Sequence, residues 1–422
     1  MSYQNSLKYA QEQDKKDSLQ KYRSKFYIPT NDNDKEKELI YLCGNSLGLQ
    51  PKTTKHYIQE VLDDWAKLGV EGHTEAKHPW LPYHEFLTDA MAEIVGAKPI
   101  EVVVMNTLTT NLHLLMVSFY RPTAKKYKVV VESDAFPSDK YAVESQVKFH
   151  GYNPKDAIIY WKPRKGGELL QIGDLQKIVD KQGDEIAMFL IGGVNYYTGQ
   201  VLNLKKIAEI GHQKNIKVGI DLAHGAGNIQ PNLHDSDVDF AAWCTYKYLN
   251  SGPGSLGALF VHEKYARDKA LNRFAGWWSH NKQTRFNMRK EYDVLPGAEG
   301  WQLSNPPILS MAAIRASLDI FKEVGMKKIR EKSDKLTGYL EFLINEINSD
   351  KVKIITPKDK NQRGAQLSIQ VKDADKSLHK KITDAGVISD WREPDVIRVA
   401  PVPLYNSFED VYRFVSILKE SI

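Results

Sequence analysis

Five short apolar runs set what this chain can fold into. Tyr127–Glu132 (YKVVVE), Ile186–Leu190 (IAMFL), Lys217–Ile220 (KVGI), Val238–Trp243 (VDFAAW) and Ala258–Val261 (ALFV) each read as a buried strand. Between the second and third lies Leu204–Lys214, whose Ile207 and Ile210 suit a short crossover helix opened by Asn203 as N-cap. Strands alternating with helices predict an α/β fold on a mostly parallel sheet. Ligands of such sheets sit beyond the carboxyl ends of the strands. The chemically unusual residues fall there: Asp221 directly follows KVGI, and Lys247 follows VDFAAWCTY.

Upstream, Ile58, Val61, Leu62, Trp65 and Leu68 follow helical spacing, and Gly69 supplies the stop. Past Pro307 the texture changes. A helical stretch over Leu309–Phe321 and an apolar stripe over Leu336–Ile347 precede β-rich runs at Val352–Ile355, Gln366–Val371 and Val396–Ala400. A last helix begins at Ser407, with Asp410 completing a partial capping box, and buries Phe408, Val411, Val415 and Leu418. A chain of 422 residues is long enough for two or three linked domains. The expected division is an N-terminal arm over 1–45, a large α/β domain over 46–308 and a small C-terminal α+β domain over 309–422.

Composition removes several function classes. The formal charge of +5 is spread over a long chain with no extended basic tract, so nucleic-acid binding is not expected. Cys43 and Cys244 are the only cysteines, which excludes a disulfide framework and a Cys-rich zinc site and suits a reducing compartment. The first residues lack the apolar core of a secretory signal, and no apolar run approaches the ~20 residues that span a bilayer. A soluble, cytoplasmic protein is expected. His73, His78 and His84 lie close in sequence, but Pro79 and Pro82 break any helix that would align them, and no metal site is expected.

Four features carry chemistry. Asp221, at the end of an apolar strand, is costly to bury without a cationic partner, and a pyridinium nitrogen would be one. Held protonated, such a ring is the electron sink of pyridoxal-phosphate (PLP) chemistry. Lys247 closes an aromatic strand ahead of the glycine-rich Ser251–Gly257, where partial desolvation would lower its pKa for attack on an aldehyde. Either residue alone has an ordinary reading, as a turn aspartate or a surface lysine. The pair on consecutive strands is far less common. The hydroxyl-rich turn Asn106–Asn111, ahead of the helical stretch Leu112–Phe119, offers backbone N–H groups and hydroxyls for a phosphate, or ordinary helix capping. Phe136, a few residues beyond YKVVVE, is placed to stack on a pyridine ring or to serve as an apolar anchor.

With these residues in view the chain resembles the kynureninase family. The resemblance is carried by YLCGNSLGL (Tyr41–Leu49), Gly72-His73, FPSD (Phe136–Asp139), DLAH (Asp221–His224), YKYLN (Tyr246–Asn250), Gly276-Trp277, SNPP (Ser304–Pro307) and RVAPVP (Arg398–Pro403), in order from about residue 41 to 415. YKYLN occurs also in class V aminotransferases and cysteine desulfurases; the first and last motifs are more specific. The resemblance implies a fold-type I PLP-dependent transferase fold, working as a homodimer with the active site at the subunit interface. It implies that Lys247 carries PLP covalently and moves protons, and that Asp221 pairs with the pyridine nitrogen with His224 beside it. Leu108 and Thr109 would lie at the phosphate end, and Phe136 would stack on the ring, with Pro137, Ser138 and Asp139 completing that wall. Tyr246 would reach the phosphate and serve as a candidate acid/base, while Trp277 and Asn305 would come from the partner subunit. Arg398 would clamp the substrate α-carboxylate, and His73 with Asn305 would contact the substrate's aromatic ring. The implied reaction is hydrolysis of L-kynurenine or 3-hydroxy-L-kynurenine to anthranilate or 3-hydroxyanthranilate plus L-alanine, in tryptophan catabolism and NAD precursor supply. One departure is visible: some relatives carry serine where Gly192 stands, which puts a minor polar contact in doubt. The alternatives are an aminotransferase or desulfurase sharing Asp221 and Lys247, and a non-catalytic PLP-fold binding protein.

Overall fold

In the computed structural model, which describes residues 3–31, 34–288 and 290–422, the apolar runs lie side by side in a seven-stranded sheet. Its strands are β1 (Val102–Val104), β2 (Lys128–Glu132), β3 (Ile158–Trp161), β4 (Ile186–Gly192), β5 (Lys217–Asp221), β6 (Phe240–Cys244) and β7 (Gly257–Val261). The spatial order is β1-β7-β6-β5-β4-β2-β3, and β7 alone runs against its neighbours.

The apolar runs are continuous because both faces of the sheet are covered. Val130, Phe189, Ile191, Ala241, Trp243, Ala258 and Phe260 enter one core, and the alternate residues Val129, Val131, Met188, Leu190, Phe240, Ala242, Leu259 and Val261 enter the other. The crossover helix spans Leu204–His212, and the Asn203 side chain accepts from the Lys206 N–H at 3.0 Å, as the cap predicts. The helix ending at Gly69 spans Thr54–Leu68, and Gly69 takes φ 55°.

A second, four-stranded antiparallel sheet lies toward the C-terminus. Its strands are β8 (Val352–Ile354), β9 (Leu367–Val371), β10 (Asp390–Arg392) and β11 (Val396–Val399), ordered β8-β9-β11-β10. The helices Met326–Glu346 and Phe408–Ser421 share its core through Leu336, Leu340, Phe408, Val411 and Leu418. Ser407 and Asp410 form the expected capping box, bonding each other's backbone N–H at 3.0 Å. The preceding helix, Ile308–Val324, packs instead on Thr54–Leu68 and Glu85–Val95.

The N-terminal segment is tied to this second core. Its helix Leu7–Lys16 packs along Phe408–Ser421, and the Asp14 carboxylate accepts the first N–H groups of that helix, from Phe408 at 2.7 Å and Glu409 at 3.0 Å. Ile40 and Tyr41 pair in parallel with Val387 and Ile388, bringing residues 45 and 46 over the carboxyl ends of the large sheet. No helix among the described residues is long and apolar enough to cross a membrane.

Candidate active site

A cavity of about 400 Å³ opens beyond the carboxyl ends of β2, β4, β5 and β6. Of the residues singled out in the sequence, Leu108, Thr109, Phe136, Ser138, Asp139, Asp221, His224, Tyr246, Lys247 and Arg398 line it. Pro137 stands between two lining residues and opens the helix Pro137–Phe149. Asn45, Ser46, Glu132, Tyr196 and Arg392 line it as well.

The lysine is set by the turn after β6. Thr245 Oγ1 bonds the Leu256 carbonyl at 2.5 Å, the Tyr246 carbonyl accepts the Gly48 N–H at 2.8 Å, and the Lys247 carbonyl accepts the Asn250 N–H at 3.0 Å. The Lys247 ammonium lies 6.0 Å from the ring centres of both Phe136 and Tyr246. Phe136 lies perpendicular to the Tyr196 ring, with centres 5.2 Å apart.

One strand over, the Asp221 carboxylate is oriented by the Ala223 N–H at 2.7 Å. Asp139 stands against it. Burial pushes the Asp139 carboxyl well above the usual range, and the charge of Asp221 and a hydrogen bond to it push further. Burial likewise raises Glu132, to about 7. His224 is held neutral by burial first and then by the positive charges of Lys247, Arg398 and Arg392; its Nδ1 is buried without a partner.

The anion cradle differs from the expected turn: Leu108–Asn111 already belong to the helix, which spans Leu108–Phe119 with Thr107 as N-cap. The N–H groups of its first turn therefore have no intrahelical acceptor. The backbone of β7 presses against this helix start, where a Cβ at Gly257 would stand 2.6 Å from the Trp243 carbonyl and 3.2 Å from the Leu108 nitrogen. Glycine is required there by close approach.

The guanidinium side of the cavity comes from the small sheet. Arg398 is 1% exposed, donates to the Tyr196 carbonyl at 2.6 Å and pairs with Asp390. Arg392, on the antiparallel neighbour, reaches the same Asp390 oxygen at 3.0 Å, and Ser46 donates to it at 2.6 Å. The Nε atoms of both arginines are buried and unpartnered. Arg392 was not foreseen; it faces Arg398's strand only through the β10–β11 register. Glu132 carried a signal that went unused, since a carboxylate closes YKVVVE just as Asp221 closes KVGI.

His73, Trp277 and Asn305 do not line the cavity. His73 Nδ1 bonds the Val70 carbonyl at 2.9 Å and its ring meets Trp80 edge-on at 5.3 Å. Trp277 is 46% exposed and meets Phe286 edge-on, and Asn305 is exposed. Their segments adjoin: the Trp278 N–H bonds the Leu303 carbonyl at 3.2 Å, and Trp80 shares an apolar groove with Pro307.

Along the sheet edge the cavity thus offers, in order, N–H donors for an anion beside β7, an amine after β6, and a carboxyl cluster at β5 and β2 that calls for a cation. A phosphate, an aldehyde and a pyridinium answer those three groups, so the residues fit PLP. Comparison with known proteins agrees. The family model described as "Kynureninase C-terminal domain" matches residues 329–418. A kynureninase of Myxococcus xanthus is 55% identical over 99% of this chain and 97% of its own, and one of Flavobacterium psychrophilum is 52% identical over 100% and 99%. Among solved structures, a variant of C-DES with glycine covalently linked to its PLP cofactor superposes with a TM-score of 0.76 at 15% identity, covering 90% of this chain and 96% of that one.

Proposed function

The chain belongs to the kynureninase family, fold-type I enzymes that use PLP, and from that premise we propose that it hydrolyses the Cβ–Cγ bond of L-kynurenine, 3-hydroxy-L-kynurenine or both. Water enters and the products are anthranilate or 3-hydroxyanthranilate and L-alanine, which places the enzyme in tryptophan catabolism and NAD precursor supply. The observation that carries the reading is the convergence of Lys247, Asp221 and the Leu108–Thr109 helix start on one cavity whose far wall holds Arg398.

PLP, when bound, supplies an electron sink that makes the substrate's Cα proton and Cβ–Cγ bond labile. Leu108 and Thr109 would hold its phosphate, Phe136, Pro137 and Ser138 would wall its ring, and Asp221 would hold its nitrogen, with Asp139 and His224 near that carboxylate. Lys247 anchors it through the amine and moves the proton at the substrate Cα. Arg398, fixed by Asp390 and the Tyr196 carbonyl, aligns the substrate carboxylate. Tyr246 is kept protonated by burial first and then by Cys244 and Asp221, so it donates a proton or holds the water that attacks the γ-carbonyl. A desulfurase would need a thiolate. Burial pushes the Cys43 thiol up to about 11 and raises Cys244 too, so neither cysteine serves as one.

Arg398→Lys is expected to raise KM sharply while cofactor affinity changes little. A lysine cannot replace a planar guanidinium that already holds the Tyr196 carbonyl and Asp390, and the loss in kcat/KM is about 2–4 kcal/mol. Steady-state kinetics beside a PLP titration checks this. A variant with normal KM and weakened PLP would assign Arg398 to the cofactor.

We further propose a cytoplasmic homodimer in which His73, Trp277 and Asn305 complete the site at the subunit boundary. A pocket that bonds a ring hydroxyl discriminates strongly against the analogue lacking it. An unpaired buried polar group costs about 1–3 kcal/mol, so 3-hydroxykynurenine is expected to be preferred by roughly five- to hundredfold in kcat/KM. Product analysis and kcat/KM with both substrates test the reaction and the preference together. His73→Trp/Asn305→Thr should erase the preference, and a wild type that favours kynurenine rejects it.

A further inference from the structure

Glu132 ends β2 inside the cavity, and no cationic side chain is paired with it among the ion pairs of the described residues. The residue is 3% exposed. Its Oε2 accepts the Gly192 N–H at 3.1 Å, the Asn195 side chain also favours its charged form, and its Oε1 is buried without a partner. A Cβ at position 192 would stand 2.9 Å from Oε2, so the carboxyl fills the space that the glycine leaves. It lines both the main cavity and an adjoining one of about 240 Å³.

The groups that face it are mostly acidic. Asp221 comes from the end of β5, Asp134 from the turn after β2 and Asp139 from the helix Pro137–Phe149, while Tyr196 follows β4. Lys247, His224, Arg392 and Arg398 stand elsewhere around the same cavity. Carboxyls buried this close cannot all ionise together. We propose that Glu132 is a positioning residue acting through Asp221: it keeps a proton while no cationic ring stands beside Asp221 and releases it when one does. Burial lifts this carboxyl to about 7, with the Gly192 hydrogen bond opposing and the Asp221 charge adding, so the switch falls at neutral pH.

The inference rests on the reading of the cavity as a PLP pocket. Binding that lowers the pKa of a group releases its proton, so affinity is weaker at low pH and reaches its full value above the pKa of the free site. Between about pH 5.5 and pH 8.5, wild-type PLP affinity should gain about eightfold if the pKa falls by one unit and at most about thirtyfold if it falls further, over and above the gain in Glu132→Gln. Equilibrium dialysis of the holoenzyme at a series of pH values across this range reads both the gain and its midpoint, without turnover. Gly192→Ala, which crowds Oε2, should move the midpoint of the same pH dependence, and it decides the matter should Glu132→Gln fail to fold. The same pH dependence in Glu132→Gln as in wild type, or an unmoved midpoint in Gly192→Ala, overturns the proposal and leaves the pocket standing. A wild type that binds no PLP at either pH overturns the pocket and the proposal with it.

Discussion

Lys247→Ala is expected to lose turnover by at least about a thousandfold while still binding PLP. Removing a residue that both anchors the cofactor and moves a proton takes away covalent catalysis together with acid–base catalysis, and the second alone contributes about 10²–10⁴-fold. Binding survives because the other contacts come from other elements: the start of the helix Leu108–Phe119, Phe136, and Asp221 at the end of β5. The turn itself should hold, since Thr245 is bonded to Leu256 and the Gly48 and Asn250 N–H groups reach backbone carbonyls rather than the lysine side chain. The direct check is borohydride reduction of the wild type followed by tryptic mapping, which should find the pyridoxyl group on the peptide containing Lys247. Its appearance on another lysine, or a Lys247→Ala enzyme with normal turnover, would remove Lys247 from its role.

How much of this was readable in advance follows from where each element sits. The five strands read from the sequence are the five interior ones, covered on both faces, so their apolar runs are unbroken. The two that escaped, β1 and β3, are the sheet edges. β1 has three residues and β3 exposes Tyr160, but their runs, Val102–Met105 and Ile158–Trp161, are as apolar as ALFV, so the pattern itself does not set these edge strands apart. Asn106–Asn111 reads as a turn because Thr107, Thr109 and Thr110 are poor helix formers, whereas the helix begins at Leu108.

The site divides the same way. Asp221 and Lys247 announce themselves as a pair: each alone has an ordinary reading, but a carboxylate and an amine at the ends of consecutive buried strands are far less common together. Arg392 and Asp390 do not, because their position depends on the register that sets Asp390 opposite Arg398. His73, Trp277 and Asn305 came from the resemblance alone. In one chain they lie outside the cavity, His73 half-buried and Trp277 and Asn305 exposed, and the proposed subunit boundary would give them a role.

That surface can be tested by mixing subunits. Lys247→Ala and Asn305→Ala homodimers are each expected to be severely impaired, the first for want of the amine and the second for want of a polar contact to substrate. If each site joins Lys247 of one subunit to Asn305 of the other, a mixed dimer holds one site with both residues intact and one with neither. Random exchange makes half the dimers mixed, so activity should rise to about a quarter of the wild-type value. If instead Asn305 served its own chain's cavity, no mixed dimer would contain an intact site, and activity would stay at the level of the parents. The exposed stretch around the residue favours the first outcome: Trp65 is 61% exposed and Leu309 44%, and both line the apolar groove that includes Pro307. Exposed aromatic and aliphatic side chains grouped in this way mark an association surface. Exchange is verified by mass-tagging one parent. Verified exchange without recovery would place Asn305 outside the partner's site and leave the single chain's cavity to account for substrate binding.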